Sequence, residues 1–285
     1  MTTTKGRPSM SADRQRLETR MRSFFGFTAM PFTKNVDPDR LYRSPAHDAA
    51  LDRLRYLADR RGIGCLFGAP GTGKSTLLRS FLASLGKTAY SICYLSHTTC
   101  AVLDLCREIA RGFGIEPGHR KADVVRETKD RIQKLSRTQK LSPVLVIDEA
   151  HLLPTGFLEE IRLLTSFDRD GADDLTVVIA GHPQLERYLK LAVHEALAQR
   201  IVVRIRLRSL HPAEVEDYVS LRLELAGRTA RLFLPDAVTA LAKAARGVPR
   251  LIDRVAEQCL LLALDAELKE IDADLVMDAV EEVDP

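Results

Sequence analysis

The stretch Gly68-Ala-Pro-Gly-Thr-Gly-Lys-Ser-Thr76 decides the fold of this chain. It follows the apolar run Ile63 to Phe67, predicted to be a strand, and leads into Lys74 to Leu85, predicted to be a helix. The pattern G-x-x-x-x-G-K-[ST] in this context is typical of a loop that binds phosphates through inward-facing backbone N–H groups and a helix N-terminus. We therefore expect nucleotide binding by Gly68, Ala69, Pro70, Gly71, Thr72, Gly73, Lys74, Ser75 and Thr76.

A second element makes a chance match implausible. The apolar run Val144 to Ile147 ends in Asp148 and Glu149, and two adjacent carboxylates at the end of a buried strand are costly unless a cation lies beside them. Lys74 is expected to reach the β and γ phosphates, whereas Ser75 and Asp148 are expected to bind Mg²⁺. Glu149 is expected to orient or deprotonate the attacking water, which favours ATP hydrolysis over binding alone.

The four residues Asp-Glu-Ala-His151 also suggest a helicase. A two-core helicase needs a second domain of this kind, and a chain of 285 residues leaves no room for it. We therefore discard that interpretation.

Apolar strands and helices alternate along the first three quarters of the chain. Besides the runs above, strands are predicted at residues 89–95, 175–180 and 201–207, and further helices at residues 46–60, 101–113, 122–138, 155–165 and 185–199. This order predicts an α/β fold in which a mostly parallel sheet is sandwiched by helices.

The chain is predicted to contain three parts. Residues 1–22 are polar and basic, with a net charge of +4, and are expected to form a flexible arm. Residues 23–208 are the expected P-loop α/β domain. Residues 209–285 lose the strand pattern and are expected to form a small helical lid domain, whose acidic tail from residue 265 onward carries a net charge of −8.

Composition indicates an ordinary soluble protein. No apolar run approaches the roughly 20 residues of a membrane helix, and the N-terminus lacks the apolar core of a signal peptide. We therefore expect a cytoplasmic location and no membrane partner. The five cysteines show no metal-binding spacing and are expected to be reduced core residues. The basic body of the chain permits a polyanionic partner but does not require one.

Further polar residues lie at positions suited to an ATPase whose active site is completed by a neighbouring subunit. His182 follows the strand predicted beside the Asp148 strand, so it contacts the γ-phosphate or the water, or is an ordinary turn residue. Arg200 ends a helix and is placed to enter a neighbouring subunit's site; Arg204 competes for that role, and a simple helix-ending cation is the alternative. Arg250 begins a helix and is expected to fold back onto the phosphates.

Taken together, these residues resemble the AAA+ branch of P-loop ATPases that contains the ExeA/GspA secretion ATPases and the TnsC, TniB and MuB transposition ATPases. The resemblance covers about residues 23–265. It rests on Pro31-Phe32, the segment Asp37-Pro38 to Tyr42-x-Ser44-Pro-x-His47, Gly68 to Thr76, Leu145 to Leu152, Ala180-Gly-His-Pro-x-Leu185, Gln199-Arg-Ile201 and Gly247-x-Pro-Arg250.

The resemblance implies ATP and Mg²⁺ as cofactors and assigns roles to single residues. Lys74 is the P-loop lysine, Ser75 and Asp148 are the metal positions, and Glu149 is the catalytic position. His182 is the sensor-one position, Arg200 the arginine finger and Arg250 the sensor-two position. His182 departs from the amide residue common at the sensor-one position. Tyr42 either flanks adenine or is a core aromatic residue.

The resemblance also offers alternative functions. Secretion members continue into a membrane span and a periplasmic region that we do not find in this sequence, so we expect a transposition regulator. Such an ATPase assembles on duplex DNA as a homo-oligomeric ring or helical filament of about six subunits per turn, recruits a transposase, and is released by hydrolysis. The alternatives are an ATPase for secretion or cell-envelope assembly, and a nucleotide switch that binds a protein partner without nucleic acid.

Two polar segments are candidate DNA contacts on the transposition hypothesis. They are Ser96-His-Thr98-Thr99, in which Thr98 is the chosen residue, and the pair Arg120 and Lys121. Contacts of this kind, made to phosphates alone, would give binding a steep dependence on salt. The alternative is ordinary solvated loop polarity.

Overall fold

The computed structural model describes residues 10–33, 36–37, 40–86, 88–96, 98–154, 156–167 and 173–283. These residues form two compact units: one runs from Arg43 to Arg208, and the other combines the chain up to Tyr42 with the chain from Ser209 onward. We call them the α/β unit and the helical unit. Some predictions concern residues outside the described ranges, namely residues 1–9, Pro38, His97 and Thr155.

Strands and helices alternate through the α/β unit, and within the described residues the elements that follow it are helices, with one isolated β-bridge between Phe233 and Ile271. The strands are β1 (Gly62–Phe67), β2 (Tyr90–Leu95), β3 (Ser142–Ile147), β4 (Thr176–Gly181) and β5 (Ile201–Arg206). The α-helices are α1 (Met10–Phe25), α2 (Pro45–Arg60), α3 (Lys74–Ser84), α4 (Val102–Gly112), α5 (Lys121–Gln133), α6 (Phe157–Leu164), α7 (Pro183–Tyr188), α8 (Glu195–Gln199), α9 (Pro212–Leu225), α10 (Pro235–Ala244), α11 (Pro249–Asp265) and α12 (Ala273–Val283).

The sheet of the α/β unit is entirely parallel, with strand order β2-β3-β4-β1-β5. Alternate residues of β3 enter opposite cores: Val144 and Val146 join one apolar cluster, and Leu145 and Ile147 the other. The predicted α/β fold, a parallel sheet covered on both faces, is confirmed. The prediction that β4 lies beside β3 is also confirmed, since the two strands pair directly.

Two predicted helices differ from the structure. The single helix expected over residues 185–199 is broken into α7, a 3₁₀ turn at Ala192–His194, and α8; Leu189 and Leu197 are buried and most of the residues between them are exposed. The helix expected over residues 122–138 ends as a π-helical turn, Lys134–Thr138, within which Ser136 donates a hydrogen bond to Asp174.

The expectation of a flexible arm over residues 1–22 is corrected for its described part. Residues from Met10 form helix α1, and Met21 and Phe25 are buried in the core of the helical unit. These two residues are four apart, so they lie on one helix face, and the Phe25 ring stacks on Phe27 at 5.4 Å. Residues up to Tyr42 therefore belong to the helical unit, not to the α/β unit as the predicted boundary at residue 23 implied.

Four of the five cysteines are core residues as expected, and Cys100 is partly exposed. All five are free thiols, and four are buried: Cys65, Cys93, Cys106 and Cys259. Burial raises the pKa of the Cys65 thiol to about 12, so it is unreactive at neutral pH.

Among the described helices, none has both the length and the apolar character needed to cross a bilayer.

Candidate nucleotide-binding site

The predicted site residues of the α/β unit gather at the carboxyl ends of its central strands. The phosphate loop leads from β1 to α3, Asp148 and Glu149 follow β3, and His182 follows β4. Because β3, β4 and β1 are neighbours in one parallel sheet, these ends meet at one edge. In open α/β sheets, ligands bind outside the carboxyl ends of the strands.

The loop after β1 is closely packed around Gly68. A Cβ atom on this residue would lie 2.7 Å from Thr72 Oγ1 and 3.1 Å from the Leu207 carbonyl oxygen, so only glycine fits. The Thr72 hydroxyl donates to the Ala69 carbonyl at 2.9 Å and closes the loop. Gly71 and Gly73 both have positive φ, 79° and 97°, which glycine adopts at no steric cost.

Lys74 lies inside this loop. Its ammonium group donates to the carbonyl oxygens of Gly68 at 2.9 Å and Ala69 at 3.1 Å, and the residue is only 4% exposed. The position of this ammonium group inside the loop, at the N-terminus of α3, suits a polyanion such as the phosphate chain of a nucleotide.

Asp148 is the centre of the second half of the site. Its Oδ2 atom accepts hydrogen bonds from the hydroxyls of Ser75 and Tyr94, each at 2.8 Å, and its Oδ1 accepts one from the backbone N–H of Glu149 at 2.9 Å. Mg²⁺ prefers oxygen ligands of this kind. The Ser75 hydroxyl and the Asp148 carboxylate, already in contact, fit a magnesium ion bound beside the loop.

Tyr94 was not predicted from the sequence. It lies near the end of β2, which pairs with β3, so its phenol reaches Asp148 across the strand ends. Burial and the neighbouring Asp148 carboxylate raise the pKa of Tyr94, so the hydroxyl remains a donor. Only the strand order reveals this residue.

Glu149 is held in an unusual backbone conformation, with φ 51° and ψ 35°. Left-handed backbone is uncommon for residues other than glycine and is found where a site needs a particular side-chain direction. The Thr98 hydroxyl donates to the Glu149 carbonyl at 3.1 Å, and Thr98 is 2% exposed. This corrects the prediction that Thr98 contacts DNA: its buried hydroxyl supports the Glu149 turn instead.

His182 and His151 stack beside Glu149. Their ring centroids are 3.6 Å apart with an interplanar angle of 22°. His182 Nε2 lies 3.6 Å from Glu149 Oε2, and His151 Nδ1 lies 3.5 Å from the same atom. The structure thus brings His182 to the expected catalytic residue, and it adds His151, which the sequence offered only as the last residue of the Asp-Glu-Ala-His string.

The remaining predicted cations of the α/β unit lie elsewhere. Arg200 caps α8 and its guanidinium donates to Ser166 Oγ at 2.9 Å, whereas Arg204 in β5 donates to the Ala198 carbonyl at 2.8 Å. Lys121 pairs with Glu160 at 2.6 Å. Arg120, the residue before α5, is exposed.

Two predicted site residues belong to the helical unit. Tyr42 packs edge-on against Tyr218, with ring centroids 5.7 Å apart, and is partly buried against that unit's core. Of its two alternatives, this contact is the one expected of a core aromatic residue. Arg250 is exposed on the first turn of α11.

Comparison with known proteins agrees with this geometry. Residues 57–189 match the AAA domain family. General secretion pathway protein A from Aeromonas hydrophila is 36% identical over 246 residues, which cover 84% of this chain and 44% of that protein. The chain therefore spans less than half the length of this relative.

Solved structures share the fold. Cdc6p from Pyrobaculum aerophilum superposes with a TM-score of 0.70 at 22% identity, covering 89% of this chain and 70% of that one. Drosophila ORC bound to DNA gives a TM-score of 0.67 at 15% identity, covering 99% and 69%. At these identities the likeness concerns the fold alone. We conclude that the chain has the P-loop AAA fold and that its residues 57–189 are similar to the AAA domain family.

Proposed function

We propose that this protein hydrolyses ATP in the presence of Mg²⁺ and that hydrolysis drives a step in secretion or cell-envelope assembly. The observation that carries the first part is the contact between the Ser75 hydroxyl and the Asp148 carboxylate, 2.8 Å apart, beside the loop that holds Lys74. The 36% identity to general secretion pathway protein A supports the second part. The cytoplasm is the proposed location, because ATP is available there.

The residues of the site divide the chemistry between them. Lys74 binds the phosphates, and Ser75 and Asp148 hold Mg²⁺, which when bound neutralises charge that develops on the transferred phosphoryl group. Glu149 orients the attacking water and accepts its proton. His182, beside Glu149, is the proposed sensor of the γ-phosphate.

Two arginines extend the proposal beyond a single α/β unit. Arg200 is the proposed arginine finger of a homo-oligomer, in which it stabilises transition-state charge in a neighbouring subunit. Arg250 is the proposed sensor-two residue. Arg204 stays the competitor for the finger, and a variant series at both positions, assayed for hydrolysis and for mixed-subunit rescue, separates them.

The transposition hypothesis becomes the second candidate. The comparisons offer no support for a transposase partner and favour the secretion relative. One observation supports retaining DNA binding as a hypothesis: the fold is shared with Drosophila ORC bound to DNA. Nonspecific DNA binding requires free cations on the protein surface, and Arg120 remains an exposed candidate.

A direct experiment tests hydrolysis. Purified protein is assayed for phosphate release from Mg²⁺-ATP, beside a Lys74→Ala variant that lacks the buried ammonium group. We expect turnover from the wild-type chain and almost none from the variant. Equal rates from both proteins would mean that the activity comes from a contaminant or another site.

A second experiment separates the two processes. The gene is deleted in its host, and secreted proteins in the medium are compared before and after complementation with wild-type or Glu149→Gln protein. In parallel, filter binding measures duplex DNA retention with and without a nonhydrolysable ATP analogue. Loss of secretion that only the wild type restores supports the proposal, whereas ATP-dependent DNA assembly with normal secretion favours the second candidate.

A further inference from the structure

Glu149, His151 and His182 form a compact cluster whose ligating atoms all lie within 4.8 Å of one another. All three side chains are partly buried, with 39%, 14% and 21% of their surfaces exposed. Glu149 and His182 have proposed roles in hydrolysis, whereas His151 has none.

The distances in the cluster do not suit hydrogen bonds. Glu149 Oε2 lies 3.5 Å from His151 Nδ1 and 3.6 Å from His182 Nε2, whereas a nitrogen and an oxygen that share a proton lie about 2.7–3.2 Å apart. The His151 Nδ1 atom is buried and makes no hydrogen bond within the described part of the chain. A buried polar atom without a partner destabilises the folded state.

The same distances suit ligands of one metal ion. Two ligating atoms that are each about 2.1 Å from a zinc ion, at a tetrahedral angle, lie about 3.4 Å apart. Both separations from Glu149 Oε2 are within about 0.2 Å of that value. The two imidazole rings, now stacked with centroids 3.6 Å apart, must turn away from each other for both nitrogens to face one ion.

The backbone holds the three side chains in place without the ion. Glu149 has a left-handed backbone, and a 3₁₀ turn at Ala150–Leu152 carries His151. Gly181, the last residue of β4, allows the close approach: a Cβ atom there would lie 3.2 Å from the His151 backbone nitrogen and 2.9 Å from Leu185 Cδ2. The backbone therefore keeps the three side chains close to one another, so that an ion needs to reorient only the two rings.

The ligand types identify the class of ion. Two imidazoles and one carboxylate suit Zn²⁺ and neighbouring first-row metals, whereas Mg²⁺ prefers oxygen ligands throughout. The Mg²⁺ ligands proposed above, Ser75 and Asp148, are a separate pair in contact with each other. The two ions would therefore not compete for the same atoms.

We propose that Glu149, His151 and His182 form a binding site for a divalent transition-metal ion of the zinc class. A metal bound there takes the Glu149 carboxylate away from water, so it inhibits hydrolysis. This consequence, unlike the binding itself, rests on the proposed function of Glu149.

Cobalt(II) provides the direct test, because its visible absorption reports the number and kind of its ligands. Untagged protein without nucleotide is titrated with Co²⁺, and Zn²⁺ is then added to displace it. We expect one equivalent of bound Co²⁺ with a four- or five-coordinate spectrum lacking thiolate bands, and complete displacement by Zn²⁺. This readout is independent of ATP hydrolysis.

Matched variants locate the site. His151→Asn and His182→Asn should each weaken Co²⁺ binding at least about tenfold, while His119→Asn, which alters an exposed histidine, should leave it unchanged. Cys100→Ser controls for the one partly exposed thiol. Circular dichroism confirms that each variant is folded, and having two separate ligand variants protects the test if one misfolds.

The possible outcomes are distinct. Loss of binding in both ligand variants and retention in both controls supports the proposal. Binding that survives in the ligand variants, or that disappears in Cys100→Ser, overturns it. If Co²⁺ binds as expected but Zn²⁺ leaves phosphate release unchanged, the metal site stands and the proposed role of Glu149 fails.

Discussion

Both units of this chain bury polar side chains, but the buried groups differ in their role: ligand binding in one unit and stabilisation of the fold in the other. In the α/β unit, Lys74 and Asp148 are buried at the strand ends, where their partners are loop carbonyls and hydroxyls. In the helical unit, Arg222 is buried among helices and donates to the carbonyl oxygens of Pro31 and Thr33. Carbonyl and hydroxyl partners at an edge can give way to a ligand, whereas contacts inside a helix cluster hold the chain together.

The helical network is completed by two more groups. Tyr218 donates to Asp253 at 2.7 Å, and Arg222 lies 3.6 Å from the same carboxylate. Through Arg222, this network ties the segment before Tyr42 to α9. A buried polar group thus marks a site only when it lies at an edge that a ligand can reach.

The largest effect of a single substitution is expected at Glu149, in the nucleotide site of the α/β unit. Glu149→Gln should lower the rate of phosphate release about 10²–10⁴-fold, because the amide cannot accept a proton from water, while binding of a fluorescent ATP analogue stays close to that of the wild type. Glu257→Gln, an exposed glutamate of the helical unit, is the matched control and should hydrolyse normally. Normal turnover in Glu149→Gln would refute the catalytic assignment.

In the helical unit, the strongest change is expected at Arg222. Arg222→Met should lower the free energy of unfolding by about 3–5 kcal/mol, since it leaves Asp253 and two backbone carbonyls without their cationic partner. Urea unfolding followed by circular dichroism measures this. Arg254→Met, which alters an exposed arginine of α11, should cost much less; equal losses would show that the network is not stabilising.

The pH dependence of stability provides a second test of the buried network around Arg222. Burial raises the pKa of Asp253 from 3.8 to about 6 although Arg222 opposes the shift. The folded state therefore keeps a proton that the unfolded state releases, so this group's stabilising contribution is full below about pH 4 and is lost as the pH rises through 6. Since one pKa unit is worth about 1.4 kcal/mol, the loss is up to about 3 kcal/mol.

Two variants isolate that contribution. Unfolding free energies are measured at pH 4.5 and pH 7.5, values about 1.5 units either side of the Asp253 pKa of about 6. Asp253→Asn should lack the decline that the wild type shows between them, and Asp217→Asn, at an exposed position of α9, should retain it. A decline that persists in Asp253→Asn must come from another group.

The smallest expected effect is at Tyr94. Tyr94→Phe removes one of the two hydroxyl donors to Asp148 Oδ2, and the Mg²⁺ concentration at half-maximal hydrolysis should rise about tenfold, the lower end of what outer-shell partners of metal ligands contribute. Tyr56→Phe, at a more exposed tyrosine of α2, is the control. An unchanged Mg²⁺ requirement would mean that the phenol does not position the carboxylate.

Much of the site could be predicted because its signals are local. The loop from Gly68 to Thr76 and the carboxylates after β3 are each contiguous in sequence, and strand and helix periodicity placed them correctly. Tyr94 and the stacking of His151 on His182 could not be predicted, since each depends on which strands are neighbours. Thr98 was misjudged for the same reason: its polarity suggested solvent, and its partner is a carbonyl 51 residues away.

The sequence by itself determined the parallel α/β architecture, the phosphate loop and the acidic strand end, because these features are encoded by periodicity and by residues adjacent in the chain. Only the tertiary structure decided that residues up to Tyr42 join the helical unit and that two histidines and Glu149 share one small volume. Burial of Met21 and Phe25, like the meeting of β3 and β4, is a long-range contact whose energy exists only once the chain has folded.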